Sequence, residues 1–408
     1  MKLDRIIKGK EKSYIYMERY VNNGSPSGFD RKHTSSKVTA PRSKAPDFDL
    51  LVLEFDESID IKTIGKDVSI IGERCIFCHP DNLNNDILQD LSDHFDIVDR
   101  VRVAPTASAR SVKLLGTEYF VKLDYMGFLG RIRRNLDYQH LLSACEVTRD
   151  ICSGIDSGIY NEKFGLLKED KGRVAYLPRK DGSFYEFGYL IREANPHHRL
   201  ADKELFLVPA FSLFAKDLYA PTYKPLLLQL YEHSGKNIND FAFYDVLGPI
   251  LDCYFDALVN HGFGMEAHAQ NTLIAIDSHY QIKLIVSRDM ESVDKDLPLR
   301  KYLGVQSKIN ALDYKCLRET DYNYTIKHSF MFDFKLGEYL LSPMIDLLSI
   351  VEGFKRDDIL DQMKCKSRTY ISRLPNDYFP DVWYNYENRQ FNEGEKRPYI
   401  SNEHPKYR

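Results

Sequence analysis

The chain lacks the features that define several large protein classes. Its formal net charge is −4 over 408 residues, which gives no electrostatic case for binding nucleic acid or an anionic membrane. No apolar run approaches the roughly 20 residues that a membrane-spanning helix needs. The first 20 residues carry scattered charges and no apolar core of a secretion signal. We therefore predict a cytoplasmic protein that binds neither nucleic acid nor membrane.

Cysteine is scarce, and its count is odd. Seven cysteines in a chain of 408 residues argue against a disulfide framework. Cys75 and Cys78 form a lone C-x-x-C, whereas a zinc site needs a second such pair or a nearby Cys/His pair, and only His79 is adjacent. We predict reduced, structural thiols.

The common nucleotide-binding and hydrolase motifs are missing as well. The sequence contains no G-x-x-x-x-G-K-[ST] and no G-x-G-x-x-G, so P-loop and Rossmann sites have no support. It contains no G-x-S-x-G and no H-E-x-x-H, which removes the commonest serine-hydrolase and zinc-protease interpretations.

What is present is typical of an α+β protein with two or three domains. A polar stretch at 22–46, rich in Ser, Pro and Gly, indicates a flexible loop. Within the first section we expect strands at 51–56 and 68–77 and a helix at 85–95. After this section the pattern is mainly β-like, and further on apolar residues recur at spacings of three and four, which favours helices.

The segment 261–290 carries the densest set of polar side chains. It follows a long amphipathic helix, which a His-Gly pair is expected to end. Glu266, His268 and Gln270 then alternate with apolar residues, and this period of two predicts a strand with one polar face.

A polar turn separates this strand from a second one. If Ile276 pairs with Gln281 across the turn, His268 lies opposite Asp289. Glu266 then lies one step away on the same face. The sequence therefore predicts two carboxylates and an imidazole at the open end of one hairpin.

Such a cluster suits a site for Mg²⁺ and phosphate. Carboxylate and amide oxygens are the hard ligands that Mg²⁺ prefers, usually with phosphate oxygens completing the octahedron. A histidine beside them can contact phosphate or a substrate carboxylate. The alternative is a buried polar network that supports the sheet. A half-satisfied network costs stability, so we would not expect an unneeded one to hold this many ionisable groups.

A second hairpin lies at 105–125. Its strands are joined by Leu-Gly-Thr-Glu, which predicts a two-residue loop containing Gly116. The resulting register places Ser111 opposite Lys122. A hydroxyl beside an ammonium suits an anion such as a triphosphate. The alternative is an ordinary solvated sheet face.

Three further polar residues near this hairpin are Ser108, Arg110 and Arg134. They would strengthen an anion site if they faced the same ligand. The register puts Arg110 and Ser111 on opposite faces, so we expect a bend near 105–108 to bring both to one ligand.

These segments resemble a known family. HGFGMEAHAQNTL at 261–273, followed by SRDM, is similar to the signature of the NRPS-independent siderophore synthetases, the aerobactin-synthetase-like family. That signature is close to H-G-[IV]-x-x-E-x-H-x-Q-N-x-L with a later R-D. PTASARS at 105–111 and FVKLDY at 120–125 resemble two further elements, in the family's order.

The resemblance implies a cupped hand of thumb, fingers and palm. It would place a shortened, thumb-like α/β region at 1–95, and fingers with an antiparallel sheet that binds ATP phosphates at 96–215. A helical palm would occupy 216–408, with a catalytic hairpin at 264–290.

The resemblance also implies roles for single residues. The contacts to ATP phosphates and the substrate carboxylate would be Ser108, Arg110, Ser111, Lys122 and Arg134. In the palm, His268 and Asn271 would contact nucleotide and substrate, while Glu266 and Asp289 would hold Mg²⁺. The catalytic residues would be Lys122, Arg134 and His268.

The implied reaction converts a carboxylic acid and ATP into an acyl-adenylate and pyrophosphate, and an amine or alcohol then attacks the acyl group. The implied cofactors are ATP and Mg²⁺, the partners are small-molecule substrates, and the assembly is a homodimer. The chain departs from the family at Gly130, where a threonine is expected near the carboxylate substrate. Citrate, the family's usual acid, is therefore only one candidate.

Two alternatives stay open. A kinase-like phosphotransferase would use a similar Mg²⁺ site but release ADP, although no glycine-rich loop precedes Lys122. A shortened, non-catalytic relative is the other alternative, although every inferred phosphate and metal position carries a competent residue.

Overall fold

The computed structural model describes residues 1–22, 38–65, 70–129, 132–201, 204–320, 324–375, 378–384, 399–401 and 404–408. Gly130 and residues 23–37 of the predicted flexible loop lie outside the described residues. The rest of that loop, 38–46, lies along the first helix. The Arg19 guanidinium donates to four carbonyls there: those of Pro41 at 2.9 Å, Ser43 at 2.7 Å, Ala45 at 2.8 Å and Pro46 at 2.9 Å.

The α-helices are α1 Leu3–Tyr20, α2 Asp86–Asp90, α3 Tyr138–Ser157, α4 Ala210–Phe214, α5 Leu226–Ser234, α6 Ile238–Asp240, α7 Gly248–His261, α8 Leu297–Tyr302, α9 Tyr324–Ser329, α10 Ser342–Leu348 and α11 Arg356–Ile371. Short 3₁₀ turns occupy Pro80–Asn84, Ser92–His94 and Met290–Ser292. Two π-helical segments cover Phe241–Leu247 and Phe330–Leu341.

The strands are β1 Phe48–Phe55, β2 Asp60–Gly65, β3 Cys75–Cys78, β4 Phe95–Pro105, β5 Ser111–Leu114, β6 Tyr119–Leu123, β7 Tyr125–Leu129, β8 Ile132–Arg134, β9 Phe164–Leu166, β10 Lys171–Pro178, β11 Phe184–Glu193, β12 Phe206–Pro209, β13 Phe263–Gly264, β14 Thr272–Ile276, β15 Ile282–Ser287, β16 Asp294–Asp296, β17 Cys316–Leu317, β18 Val382–Tyr384 and β19 Tyr399–Ser401.

The largest sheet has eight strands in the order β2-β10-β11-β6-β5-β4-β1-β3. Every neighbouring pair in it is antiparallel. The predicted α+β class and antiparallel sheet are therefore confirmed. Strands β1 to β3 belong to this sheet, so it continues across the boundary that we predicted at residue 95.

A second, four-stranded sheet has the order β12-β14-β15-β9, with β9 parallel to β15. It carries the hairpin β14–β15, and its surroundings are helical. The buried apolar side chains of α1, α3, α7 and the later helices form one large core, and those of the eight-stranded sheet form another. The candidate site residues lie where the two sheets meet.

Local sequence signals explain several element ends. Helix α7 stops at His261 because Gly262 adopts a left-handed conformation with φ of 64°, as the His-Gly pair predicted. Helix α3 begins after Asp137, whose side chain accepts a hydrogen bond from the His140 amide at 3.0 Å.

Other predicted elements are wrong in extent. Of the strand expected at 68–77, residues 68–69 lie outside the described residues, 70–74 form turns and a bend, and the strand β3 covers Cys75–Cys78. The helix expected at 85–95 is only five residues long in α2 before a 3₁₀ turn replaces it. Helix α1 was not expected from the sequence. It buries Leu3, Ile6, Tyr14 and Met17, which recur at helical spacing along one face.

Candidate active site

The hairpin of β14 and β15 differs from the one predicted. Strand β14 begins only at Thr272, and its partner across the hairpin is Ser287. Ile276 pairs with Ile282 and not with Gln281, after an irregularity in the ladder. The predicted pairing of His268 with Asp289 is therefore wrong.

The residues before β14 form a turn instead of a strand. The amides of Asn271 and Thr272 both donate to the His268 carbonyl, at 2.9 and 3.1 Å. The Asn271 side-chain amide donates to the Glu266 carbonyl at 3.2 Å. Local side-chain bonds of this kind compete with a sheet ladder. The turn nevertheless brings the predicted residues together by another route.

His268 is buried, and its neighbours define its protonation. The Gln270 amide donates to Nδ1 at 3.2 Å, which assigns the ring proton to Nε2. Nε2 lies 4.0 Å from Glu266 Oε1. Burial lowers the pKa of His268 to about 4, although the charges of Glu266 and Asp289 act in the opposite direction. The imidazole is therefore neutral at pH 7 and lies within the field of both carboxylates.

Asp289 follows β15 in an unusual conformation. Its φ of 75° is left-handed, which is uncommon for a residue other than glycine. The buried Glu169 carboxylate holds this conformation because it accepts from the amides of Asp289 and Met290 at 2.9 and 3.0 Å. The Asp289 side chain is 24% exposed and is therefore accessible to a ligand.

The Asp289 carboxylate contacts two cations. It forms ion pairs with Lys122 of β6 and with Arg192 Nη2, the latter at 3.3 Å. Burial would raise the pKa of Asp289, but these two cations hold it far below its usual range. Asp289 is therefore ionised at neutral pH.

Glu266 has its own cation. Its Oε1 lies 2.8 Å from Lys335 Nζ, and Lys335 belongs to the π-helical segment Phe330–Leu341, a geometry frequent at functional sites. Burial opposes ionisation, but Lys335 and Lys315 hold the pKa of Glu266 far below its usual range. Glu266 is 20% exposed.

The hairpin of β5 and β6 has the predicted register. Ser111 of β5 pairs with Lys122 of β6, and Gly116 takes a left-handed φ of 75° in the loop. The loop spans four residues, 115–118, rather than two. Lys122 is buried, and its ammonium contacts both Asp289 and Glu291. This contact joins the two hairpins.

Arg110 reaches the same place from the loop between β4 and β5. The chain bends after Pro105, and the Leu123 amide donates to the Arg110 carbonyl at 2.8 Å. The guanidinium lies 3.4 Å from Glu291 Oε1 and donates to the Arg134 carbonyl at 3.2 Å. The bend that the sequence required is present.

The remaining predicted residues are less central. Ser111 and Asn271 are buried, and Ser108 is half-buried. Arg134 is exposed at the end of β8, and its carbonyl is the group that Arg110 contacts. Arg288 does not face the cleft. Its guanidinium contacts Tyr14 at 2.8 Å and Glu18 at 2.5 Å, so it anchors α1.

Sequence reasoning missed several residues at the site, which are Glu169, Arg192, Glu291, Tyr314, Lys315 and Lys335. One of them had a usable signal, because Glu291 follows Asp289 by only two residues. The others come from elements far apart in the chain, so no local pattern indicated them.

The carboxylates at the cleft are suited to bind a magnesium ion whose other ligands would be phosphate oxygens and water. Across the described ranges, no group of three or more His, Cys, Asp or Glu side chains is arranged to hold a metal ion. Mg²⁺ usually needs only one or two carboxylates when phosphates and water supply the remaining ligands. Glu266 and Asp289 are ionised, and their side chains keep 20% and 24% of their surface exposed, so a ligand can reach them.

All seven cysteines are free thiols, and Cys75 and Cys78 are buried within β3. No helix in the described part of the chain is both long enough and apolar enough to cross a membrane.

Solved structures that resemble this protein include siderophore synthetases. The crystal structure of petrobactin biosynthesis protein AsbB from Bacillus anthracis str. Sterne matches 97% of this chain and 75% of its own, with a TM-score of 0.71 and 15% identity. This chain has the fold of the siderophore synthetases. The resemblance seen in the motifs is thereby confirmed at the level of the fold.

Two further matches agree. ATP-bound aerobactin synthetase IucA from a hypervirulent pathotype of Klebsiella pneumoniae covers 93% of this chain and 76% of its own, with a TM-score of 0.66 and 14% identity. Aerobactin synthetase IucC from the same source covers 90% and 72%, with a TM-score of 0.66 and 12% identity. No protein-family model matches the chain, and no curated protein matches it in sequence.

Proposed function

We propose that this protein is an ATP- and Mg²⁺-dependent synthetase. It adenylates a small carboxylic or polycarboxylic acid, such as citrate or a related acid, and condenses the acyl group with an amine or an alcohol. The product belongs to siderophore or related secondary-metabolite biosynthesis. The observation that carries the proposal is the ion pair between Lys122 and Asp289. It places a lysine suited to bind phosphate beside a carboxylate suited to bind Mg²⁺.

ATP is a substrate of this reaction, and the cations of the eight-stranded sheet would receive its phosphates. Lys122, Arg110 and Arg192 converge on the cleft from β6, the loop before β5, and β11. Cations placed in this way orient the triphosphate and neutralise the charge that develops as pyrophosphate leaves. The fold shared with ATP-bound IucA supports the use of ATP.

Glu266 and Asp289 would hold Mg²⁺ against the phosphates, and the ion would neutralise phosphate charge there. The neutral His268 presents an N–H at Nε2, which can donate to a phosphate or acyl oxygen. Arg134, exposed beside this cleft, would contact the substrate carboxylate.

By the same likeness we propose the thumb, fingers and palm division at 1–95, 96–215 and 216–408, a cytoplasmic location and a homodimer. The wild-type elution volume in size-exclusion chromatography checks the dimer.

The test of the proposed activity is a hydroxamate-trapping assay. Purified protein is offered ATP, Mg²⁺, hydroxylamine and a panel of carboxylic acids. We expect an acid hydroxamate together with AMP and pyrophosphate. Release of ADP instead would establish the kinase-like alternative, and no nucleotide turnover with any acid would overturn the proposal.

Asp289→Asn should lower the rate of pyrophosphate release at least about 100-fold, because the metal and Lys122 both lose a charged partner. The matched control is Asp313→Asn, an aspartate whose side chain is 94% exposed. The control should retain wild-type activity, and equal activity of both variants would remove Asp289 from the site.

A further inference from the structure

His140 lies in the first turn of α3, outside both sequence motifs, and it forms a pair with Asp137. The Asp137 carboxylate accepts from the His140 amide at 3.0 Å and from the ring Nδ1 at 2.5 Å. Burial would raise the pKa of Asp137, but the hydrogen bond from the His140 ring holds it below its usual range. An ionised carboxylate can only accept, so the ring proton is assigned to Nδ1. Nε2 then carries a lone pair and can take a proton.

Nε2 is the free edge of this ring. Among the residues that the structure describes, Nε2 of His140 has no hydrogen-bond partner, and the protein does not enclose it. The imidazole as a whole is 18% exposed. A small molecule can therefore approach Nε2 without displacing a protein contact.

A neighbouring ring connects the pair to the candidate active site. The Tyr314 ring packs against the His140 ring at a centroid distance of 4.0 Å, and the Tyr314 hydroxyl donates to Glu291 at 3.4 Å. Lys122 and Arg110 contact the same Glu291 carboxylate. His140 is therefore separated by only two side chains from the cations proposed to bind the phosphates of ATP.

The chain that leads into α3 provides a second connection. Arg134, the proposed contact of the substrate carboxylate, ends β8 three residues before Asp137. Arg110 donates to the Arg134 carbonyl at 3.2 Å, and the Leu136 amide donates to the buried Asp124 carboxylate at 2.8 Å. One short, anchored segment thus carries both the proposed acid contact and the His140–Asp137 pair.

The other histidine of the site is not suited to take a proton. Nδ1 of His268 accepts from the Gln270 amide at 3.2 Å, and its Nε2 carries the ring proton. His268 is therefore a hydrogen-bond donor toward a ligand, whereas His140 presents an acceptor. An aspartate that fixes the tautomer of an imidazole in this way prepares it for general-base catalysis.

We propose that His140 is the general base of the condensation step and that Asp137 is its positioning residue. The inference rests on the proposed function, because this step consumes the acyl-adenylate. The acceptor's nitrogen or oxygen forms a bond to the acyl carbon, and the bond from that carbon to the phosphate oxygen breaks, so that AMP leaves. Nε2 of His140 takes the proton that the attacking atom loses and later releases it to water.

The test compares two kinds of nucleophile in His140→Gln and wild type. Hydroxylamine is largely uncharged at neutral pH and reacts readily, so trapping of the acyl group needs little help from a base. Ethylenediamine, ethanolamine and glycerol are the base-dependent probes, each offered with ATP, Mg²⁺ and the acid that gives most hydroxamate. In the variant, amide or ester formation should fall at least about 100-fold relative to hydroxamate formation, as measured by mass spectrometry.

Further variants separate a base from a structural role. Asp137→Asn should lower the same ratio, because the tautomer is no longer fixed. Imidazole added to His140→Ala should restore part of the amide or ester formation. The matched control is His94→Gln: the Nδ1 of His94 lies 3.0 Å from Asp56, at the end of β4 remote from the loop that carries Arg110. This control should keep the wild-type ratio.

The role of His140 would be overturned by an unchanged ratio in His140→Gln, or by a wild type that forms hydroxamate but no amide or ester. Either result leaves the adenylation step in place. Absence of hydroxamate with every acid would overturn the synthetase proposal and the base with it. Thermal unfolding checks each variant, and His140→Asn replaces His140→Gln if the latter does not fold.

Discussion

His268 illustrates what the sequence does and does not specify at the scale of single residues. Its alternation with Glu266 and Gln270 predicted a strand, but the chain turns at this point because Asn271 and Thr272 bond to the His268 carbonyl. The residue types correctly indicated which side chains lie at the cleft, because a turn can place the same side chains there as the end of a strand. The pairing was not correctly indicated, because the turn is also held by side-chain to main-chain bonds of His268 and Asn271, which periodicity does not detect.

Protonation of His268 should make stability depend on pH. Its pKa is about 4 in the folded protein, against an ordinary value of 6.5. The unfolded chain therefore binds more protons between these values, and the folded state loses stability as the pH falls through that window. In His268→Gln, the free energy of unfolding should fall by about 2 kcal/mol less between pH 7 and 4.5 than in wild type.

Urea unfolding at several pH values measures this difference. His279→Gln is the control because His279 is exposed on the turn of the same hairpin, so it should follow wild type. A variant at position 268 that loses stability in parallel with wild type would show that the imidazole is not held neutral.

At the scale of elements, glycines at turns and helix ends were reliable signals, whereas periodicity alone misjudged the extent of several strands and helices. The register of β5 against β6 followed from a glycine in the connecting loop, and the end of α7 followed from Gly262. Helix α1 was missed, although its buried residues recur at helical spacing. Its interior contains a kink at Lys10, where φ is 42°, so its pattern is not that of one regular helix.

Helix α1 is held to the site by a buried ion pair. Glu18 is fully buried, accepts from the Ala107 amide at 3.1 Å and binds Arg288. Glu18→Ala should lower the free energy of unfolding by about 3–5 kcal/mol, because it leaves a buried guanidinium without a counter-charge. Chemical unfolding followed by circular dichroism provides the measurement.

Asp4→Ala is the comparison within the same helix. Asp4 is exposed and lies 3.7 Å from Lys8, so its loss should change stability by less than about 0.5 kcal/mol. Equal effects of the two substitutions would show that Arg288 does not depend on Glu18.

At the scale of the whole molecule, the cleft is assembled from parts that are remote in sequence. Glu169 lies near β10, Lys122 on β6 and Lys335 on a π-helical segment, yet all three contact residues of the 266–291 region. No local pattern could place them together, because their proximity depends on how the two sheets meet. The motif at 261–273 indicated the side of the cleft formed by the 266–291 region, and the ionic partners of these residues came only from the structure.

Ligand binding should stabilise the whole protein through these contacts. A ligand that binds only the folded state adds about 2.7 kcal/mol at 100 times its Kd. We therefore expect ATP with Mg²⁺ to raise Tm by several degrees in a thermal-shift measurement. Lys122→Met should abolish the rise, whereas Lys180→Met, at an exposed lysine after β10, should preserve it.

The shift, rather than the Tm of the ligand-free variant, is the quantity to compare, because Lys122→Met also removes internal ion pairs. An undiminished shift in Lys122→Met would mean that the phosphates bind elsewhere.

The contact of Lys122 with Asp289 and Glu291 also determines how a nucleotide can enter. One ammonium cannot keep both carboxylates and take a phosphate oxygen as well, so entry exchanges one set of ionic partners for another. Added salt weakens the ion pairs of Lys122 with the two carboxylates and its ion pair with the phosphate alike. Nucleotide affinity should therefore respond to ionic strength less steeply than the number of basic side chains around the cleft would suggest.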